Sequence, residues 1–179
     1  MNHNELCVKT AERFNTHVSL VEYKSYACSE EPDVLVFDYG RTTLYEIKVS
    51  RPDFIADKKK DCRKKYKTNY HFYIENPEVR PEIKRAYVRF SCFEPKLFYK
   101  QYPHLGNYRY FVCEKGLILP EEVPEGWGLY WYSNGKFYQK KRSEKFRSNM
   151  KAEKDLLMHA LQRYSNNEGN EKSVMIKKY

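Results

Sequence analysis

The sequence predicts a single α/β domain, and three observations predict it. Two apolar stretches alternating with period two, 33–38 and 43–49, flank the turn Asp38-Tyr39-Gly40-Arg41 and read as a hairpin of strands. Ser50-Arg51-Pro52-Asp53 then sets a serine, a proline and an acid at the spacing of a helix start. Farther on, Phe146, Met150, Leu157, Ala160, Leu161 and Tyr164 recur at helical spacing and predict a long helix over 143–164. With 179 residues, no internal repeat and no linker, the chain suits one well-buried core over 1–165.

Taken in order, residues 4–14 read as a short helix. Leu6, Cys7, Thr10, Ala11 and Phe14 lie near one stripe, and Asn4 is placed to cap it. His17 to Ser25 alternates as a strand, with Val18, Leu20 and Tyr23 as its buried positions. After the hairpin, the helix from Ser50 carries Phe54, Ile55 and Ala56, then turns basic over Lys58-Lys59-Lys60-Asp61-Cys62-Arg63-Lys64-Lys65-Tyr66-Lys67. Asn69 to Ile74 and Ala86 to Phe93 are strand-like, with Pro77 and Pro81 as breaks between them. Tyr108 to Cys113 is an apolar strand, and Gly116 to Pro124 a turn or short helix. Gly128–Tyr132 and Lys136–Lys140 flank Ser133-Asn134-Gly135, a hairpin signal. The tail 166–179, rich in Asn, Glu, Lys and Ser, reads as disordered.

Lys and Arg outnumber Asp and Glu by 33 to 24, for a net charge of +9 and a pI near 9.2. That surplus favours an anionic partner, nucleic acid before an acidic membrane surface, although simple solubility also accounts for it. No apolar run approaches the roughly 18 residues of a membrane span, and Met1-Asn2-His3-Asn4-Glu5 lacks a signal-peptide pattern. Five widely spaced cysteines without C-x-x-C argue against a disulfide framework and a structural zinc site, and fit a reducing cytoplasm. The five histidines show neither H-x-H nor HExxH and read as surface or core residues, and no glycine-rich phosphate loop points to a nucleotide cofactor.

Glu-x-Lys occurs four times, at 22–24, 46–48, 82–84 and 94–96. Pro95 spoils the last for a central strand, and Glu82 follows Pro81 without alternation. Before Glu22 there is no Pro-Asp strand. Only Glu46-Ile47-Lys48 lies on a strand paired by a tight turn with one that begins at Pro32-Asp33. Alternation sends Glu46 and Lys48 to one face and Tyr45, Ile47 and Val49 to the other, so Asp33, Glu46 and Lys48 should converge at one sheet edge. Two carboxylates suit Mg²⁺, with the Ile47 backbone carbonyl as an additional ligand. The metal would polarise a phosphoryl oxygen and activate water, while the lysine orients it or stabilises developing charge. The same spacing also suits a surface ion pair between Asp33 or Glu46 and Lys48.

Pro32-Asp33 and Glu46-x-Lys48 resemble the signature of the PD-(D/E)XK nuclease superfamily. Glu46-Ile47-Lys48-Val49-Ser50, Asp53-Phe54-x-Ala56-Asp57-x-Lys59, Tyr110-Phe111-Val112-Cys113, Gly116-Leu117-Ile118, Pro124 and Gly128-Leu129 extend the likeness to the MmcB-type branch of DNA-repair nucleases. The resemblance covers about 4–60 and 108–132. It implies a restriction-endonuclease-like αβββαβ core, a central mixed sheet flanked by helices, with a basic and aromatic insertion over about 62–107 and a C-terminal helix. It implies that Asp33 and Glu46 hold Mg²⁺, with Mn²⁺ as substitute, and that Lys48 is the catalytic lysine. Many members add a glutamate from the first helix; here Glu5, in the first turn, and Glu12 are candidates, and Glu22 on the next strand is a third. Glu5 and Glu12 read equally well as exposed helix charges. Asp53 fits the cap with Ser50, and Asp57 and Lys59 either reach DNA or face water.

The expected activity is therefore metal-dependent endonucleolytic hydrolysis of DNA phosphodiesters, in repair, recombination or phage and mobile-element processing, in a bacterial or phage-infected cytoplasm. Lys58, Lys59, Lys60, Arg63, Lys64, Lys65 and Lys67, with Tyr66 among them, are the expected DNA contacts, neutralising phosphates beside the scissile bond. A C2 homodimer is compatible with double-strand cutting. Two alternatives stand beside the enzyme: a nuclease-fold DNA-binding accessory protein that cuts little, and a basic protein-interaction module.

Overall fold

In the computed structural model, which describes residues 1–24, 31–57, 105–166 and 173–177, the chain builds a seven-stranded mixed sheet flanked by helices. Helix α1 (His3–Phe14) starts earlier than expected because Asn2, not Asn4, caps it. The Asn2 side chain accepts the Glu5 N–H at 2.8 Å and the Glu5 carboxylate accepts the Asn2 N–H at 3.2 Å. Only Asn2 has a glutamate three residues on, so the reciprocal pair decides the cap. Strand β1 (Val18–Val21) is shorter than the alternation over 17–25 suggests, because Glu22 takes φ 45° and leaves the extended region.

Strands β2 (Val34–Asp38) and β3 (Arg41–Lys48) form the expected hairpin, in antiparallel register from Val34↔Tyr45 to Asp38↔Arg41. Helix α2 (Arg51–Asp57) follows, with the Ser50 hydroxyl accepting the Asp53 N–H at 3.3 Å. Beyond it, β4 (Tyr108–Glu114) and β5 (Gly128–Ser133) add in parallel, and β6 (Lys136–Lys141) returns antiparallel. Asn134 and Gly135, at φ 50° and 74°, turn that hairpin with the left-handed pair that Asn-Gly favours. The sheet order β6-β5-β4-β3-β2-β1-β7 puts β3 at the centre.

Alternation on β3 assigns the two faces. Tyr45 and Ile47 pack with Val34, Val36, Tyr110 and Val112 against Leu6, Cys7 and Ala11 of α1. Leu44 points the other way, into a core with Phe54 of α2, Phe111, Trp127, Leu129, and Leu156 and Ala160 of α3 (Met150–Asn166). Glu46 and Lys48 share the parity of Leu44 and so belong to this second face.

Two further expectations need correction. The long helix begins at Met150 rather than 143, because Ser143 is committed to a loop: its hydroxyl accepts the Arg109 N–H at 2.9 Å and lies 3.2 Å from the Gly126 carbonyl. Asn149 provides the cap, accepting the Ala152 N–H at 3.1 Å. The tail expected to be disordered over 166–179 contains β7 (Val174–Ile176), paired antiparallel with β1 as Val18↔Ile176 and Leu20↔Val174. Three apolar residues suffice, since they complete an edge and bury Val174, and the polar composition around them hides that.

Glu153, on the first turn of α3, is buried and ties the helix to the sheet. Its carboxylate accepts the Thr42 hydroxyl and the Gly106 N–H, both at 2.8 Å, and the Ser148 hydroxyl at 3.2 Å. Burial pushes its pKa above the usual carboxylate range against the pull of those donors. The raised folded value means this group favours folding most below the ordinary carboxylate pKa, and the contribution is lost as pH rises through the folded value. Glu153→Gln should therefore flatten this part of the pH–stability profile, and Glu153→Ala should cost about 3 kcal/mol by stranding three donors. Urea unfolding followed by Trp127 and Trp131 fluorescence checks both.

Candidate active site

The end of β3, the entry to β2 and the first turn of α1 meet at one edge of the central hairpin. Asp33 lies one residue beyond the pair Val34↔Tyr45, which sets it level with Glu46. Its Oδ2 accepts the Ile47 N–H at 2.7 Å, and its carbonyl accepts the Glu22 N–H at 2.8 Å. His3 Nε2 stands 3.5 Å from the same Oδ2. Burial pushes the Asp33 pKa up, but the His3 hydrogen bond, the Lys48 charge and the Ile47 N–H together hold it below the usual range. Asp33 is thus kept ionised.

Glu46 and Lys48 sit side by side on the second face, each only 1 % exposed. Lys48 Nζ lies 3.2 Å from Glu46 Oε2 and 3.2 Å from Asp57 Oδ1, and 5.8 Å from the Phe111 ring centroid. The surface ion pair that the spacing also allowed is therefore not what forms: the pair is buried, because β3 is the central strand and α2 turns back over its end. Asp57, expected to face water or DNA, is buried and closes on Lys48. The signal was present in the sequence, since Asp57 follows the buried Phe54 by three residues and shares its helix face.

The first-helix candidates go elsewhere. Glu5 closes the capping box with Asn2, and Glu12 lines a cleft with Lys9 and Arg13 beside Tyr132, Lys136 and Phe137 of the β5–β6 hairpin. The side chain that α1 does bring to Asp33 is His3, a residue that lies in neither H-x-H nor HExxH and so carries no ligand signal in the sequence. The Asp33 hydrogen bond, more than any other cause, raises the His3 pKa above its ordinary value. Glu22, the third candidate, does reach this edge, with Oε1 3.4 Å from His3 Nδ1. The expected DNA contacts Lys58, Lys59, Lys60, Arg63, Lys64, Lys65, Tyr66 and Lys67 lie outside the described residues.

No protein-family model and no curated protein matches the chain. A similar solved structure is SPO1766, a protein of unknown function from Silicibacter pomeroyi, with a TM-score of 0.53 and 14 % identity over 96 % of this chain and 95 % of that one. At that identity the likeness speaks to the α/β fold alone. Among the described residues, no helix is long and apolar enough to cross a membrane.

Proposed function

We propose that the chain is a Mg²⁺-dependent DNA endonuclease of the PD-(D/E)XK kind, built on a restriction-endonuclease-like core. One observation carries the reading: Asp33, Glu46 and Lys48, the residues of the motif, gather at the end of the central strand. The order α1, β1, β2, β3, α2, β4 supports it, being the αβββαβ succession that the motif accompanies. The donor chemistry fits the metal. Glu46 and Asp57 flank Lys48, and Asp33 beside them is held as a carboxylate, the hard donor that Mg²⁺ prefers.

Asp33, Glu46 and the Ile47 carbonyl would hold the ion, which when bound polarises a phosphoryl oxygen and makes bound water a nucleophile near neutral pH. Lys48, kept between Glu46 and Asp57, is positioned to steady charge developing on the phosphate. The net charge of +9 favours a polyanionic substrate, and its phosphate contacts would make binding salt-sensitive. Hydrolysis in repair, recombination or phage DNA processing, in the cytoplasm, follows from this reading.

Burial of Glu46, Lys48 and Asp57 favours one second reading, a DNA-binding accessory protein that retains the fold without cutting. Plasmid, linear, single-stranded and branched DNA, each incubated with Mg²⁺ or Mn²⁺, separates the two. Cleavage lost on chelation is the expected result. Binding at low salt without cleavage of any substrate would establish the accessory reading, and absence of binding would point to a protein-interaction module.

A further inference from the structure

We propose that His3, Cys7 and Glu22 form a binding site for a zinc-class divalent transition metal, on the face of the sheet opposite Glu46 and Lys48. His3 and Cys7 are four residues apart and face the same way from the first two turns of α1. Glu22 comes to meet them from just beyond β1, where its φ of 45° swings the chain out of the strand. One ligand atom from each of the three lies within 4.8 Å of the others. His3 Nδ1 is 3.4 Å from Glu22 Oε1 and 3.5 Å from Cys7 Sγ.

The two separations from His3 Nδ1 match the chemistry. Ligands on a tetrahedral ion at bond lengths of about 2.0–2.3 Å stand about 3.3–3.8 Å apart. A nitrogen, a sulfur and one carboxylate oxygen suit a borderline-soft ion rather than Mg²⁺. Three protein ligands leave a fourth position for water or substrate. The imidazole already has the outer partner that metal-bound histidines use: Nε2 faces Asp33 Oδ2 at 3.5 Å, and that oxygen is itself fixed by the Ile47 N–H. Cys7 is fully buried while His3 and Glu22 remain partly exposed, which gives the ion an approach from solvent. Burial, followed by the charges of Asp33, Glu22 and Glu46, keeps the Cys7 thiol protonated well above its ordinary range. On binding, that proton leaves to solvent and the Cys7 thiolate bonds the cation.

The site goes beyond the nuclease reading and does not rest on it, since its three donors are not those assigned to Mg²⁺. The test is titration of the EDTA-stripped full-length protein with Co²⁺, followed by Zn²⁺ competition. One equivalent should bring a sulfur-to-cobalt charge-transfer band and intense tetrahedral visible bands, and Zn²⁺ should bleach both. Cys7→Ser should remove the charge-transfer band, and His3→Gln should weaken Zn²⁺ binding at least about 100-fold. Asp33→Asn, acting through the imidazole, should weaken it about 10–100-fold. Glu46→Gln should leave the spectrum in place, which separates this site from an oxygen-ligated Mg²⁺ centre. Circular dichroism of each variant confirms folding, and the exposed-side His3→Gln serves if Cys7→Ser does not fold. No saturable cobalt spectrum, a charge-transfer band that survives Cys7→Ser, or an undiminished Zn²⁺ affinity in His3→Gln would overturn the proposal. A chain that binds zinc here but cuts no DNA would refute only the nuclease reading.

Discussion

Lys48→Met should abolish DNA cleavage and also lower stability by about 3–5 kcal/mol, the usual cost of removing one partner from a buried ion pair. Methionine restores most of the volume but none of the charge. Glu46 and Asp57, 1 % and 3 % exposed, would lose the ammonium that lies 3.2 Å from each. The two roles of Lys48 can be separated. Lys48→Met combined with Asp57→Asn removes one of the two carboxylates that Lys48 faces, so stability should return in part while cleavage stays absent. Urea midpoints and plasmid nicking measured on the same preparations make the comparison. An unchanged midpoint for Lys48→Met would mean that the cluster does not hold its charges in the folded protein.

Asp33→Asn should behave in the opposite way, with a large loss of activity and a small loss of stability. Asparagine can still accept the Ile47 N–H, so the join between β2 and β3 persists. It cannot supply a hard anionic donor, and a loss of about 10³-fold in cleavage rate is expected, equivalent to about 4 kcal/mol of transition-state stabilisation. Stability should change in its pH dependence. The lowered Asp33 pKa contributes stability above the ordinary carboxylate value, and that contribution is lost as pH falls through the lower folded value. Asp33→Asn should remove that acid-side loss. Wild-type cleavage by Asp33→Asn would remove Asp33 from the proposed chemistry.

The local pieces of this molecule were legible because local physics makes them. Asp38-Tyr39-Gly40-Arg41 turns where the sequence places a turn, Ser50 caps α2, and Asn134-Gly135 makes its hairpin. Period-two alternation separated Glu46 and Lys48 from Ile47 correctly, because a strand leaves its side chains only two faces. Boundaries were less legible. Ser143 looked like a helix start until Arg109 claimed its hydroxyl, and the polar composition of the tail concealed a strand that only the open edge of β1 could recruit.

At the candidate site the division is sharper. Pattern and turn chemistry by themselves determined that Asp33, Glu46 and Lys48 belong to one hairpin, since a register of paired strands is a local fact. They could not determine depth, and so Lys48 and Asp57 were open to a surface reading until β3 proved to be the central strand with α2 laid over its end. Nor could they choose which residue of α1 meets Asp33. The family resemblance offered Glu5 and Glu12, but the capping box turns Glu5 back to Asn2, and the lie of the helix on the sheet delivers His3 instead. Long-range packing fixes where a helix end sits, and packing is a property of both faces at once, so only the tertiary structure could decide it.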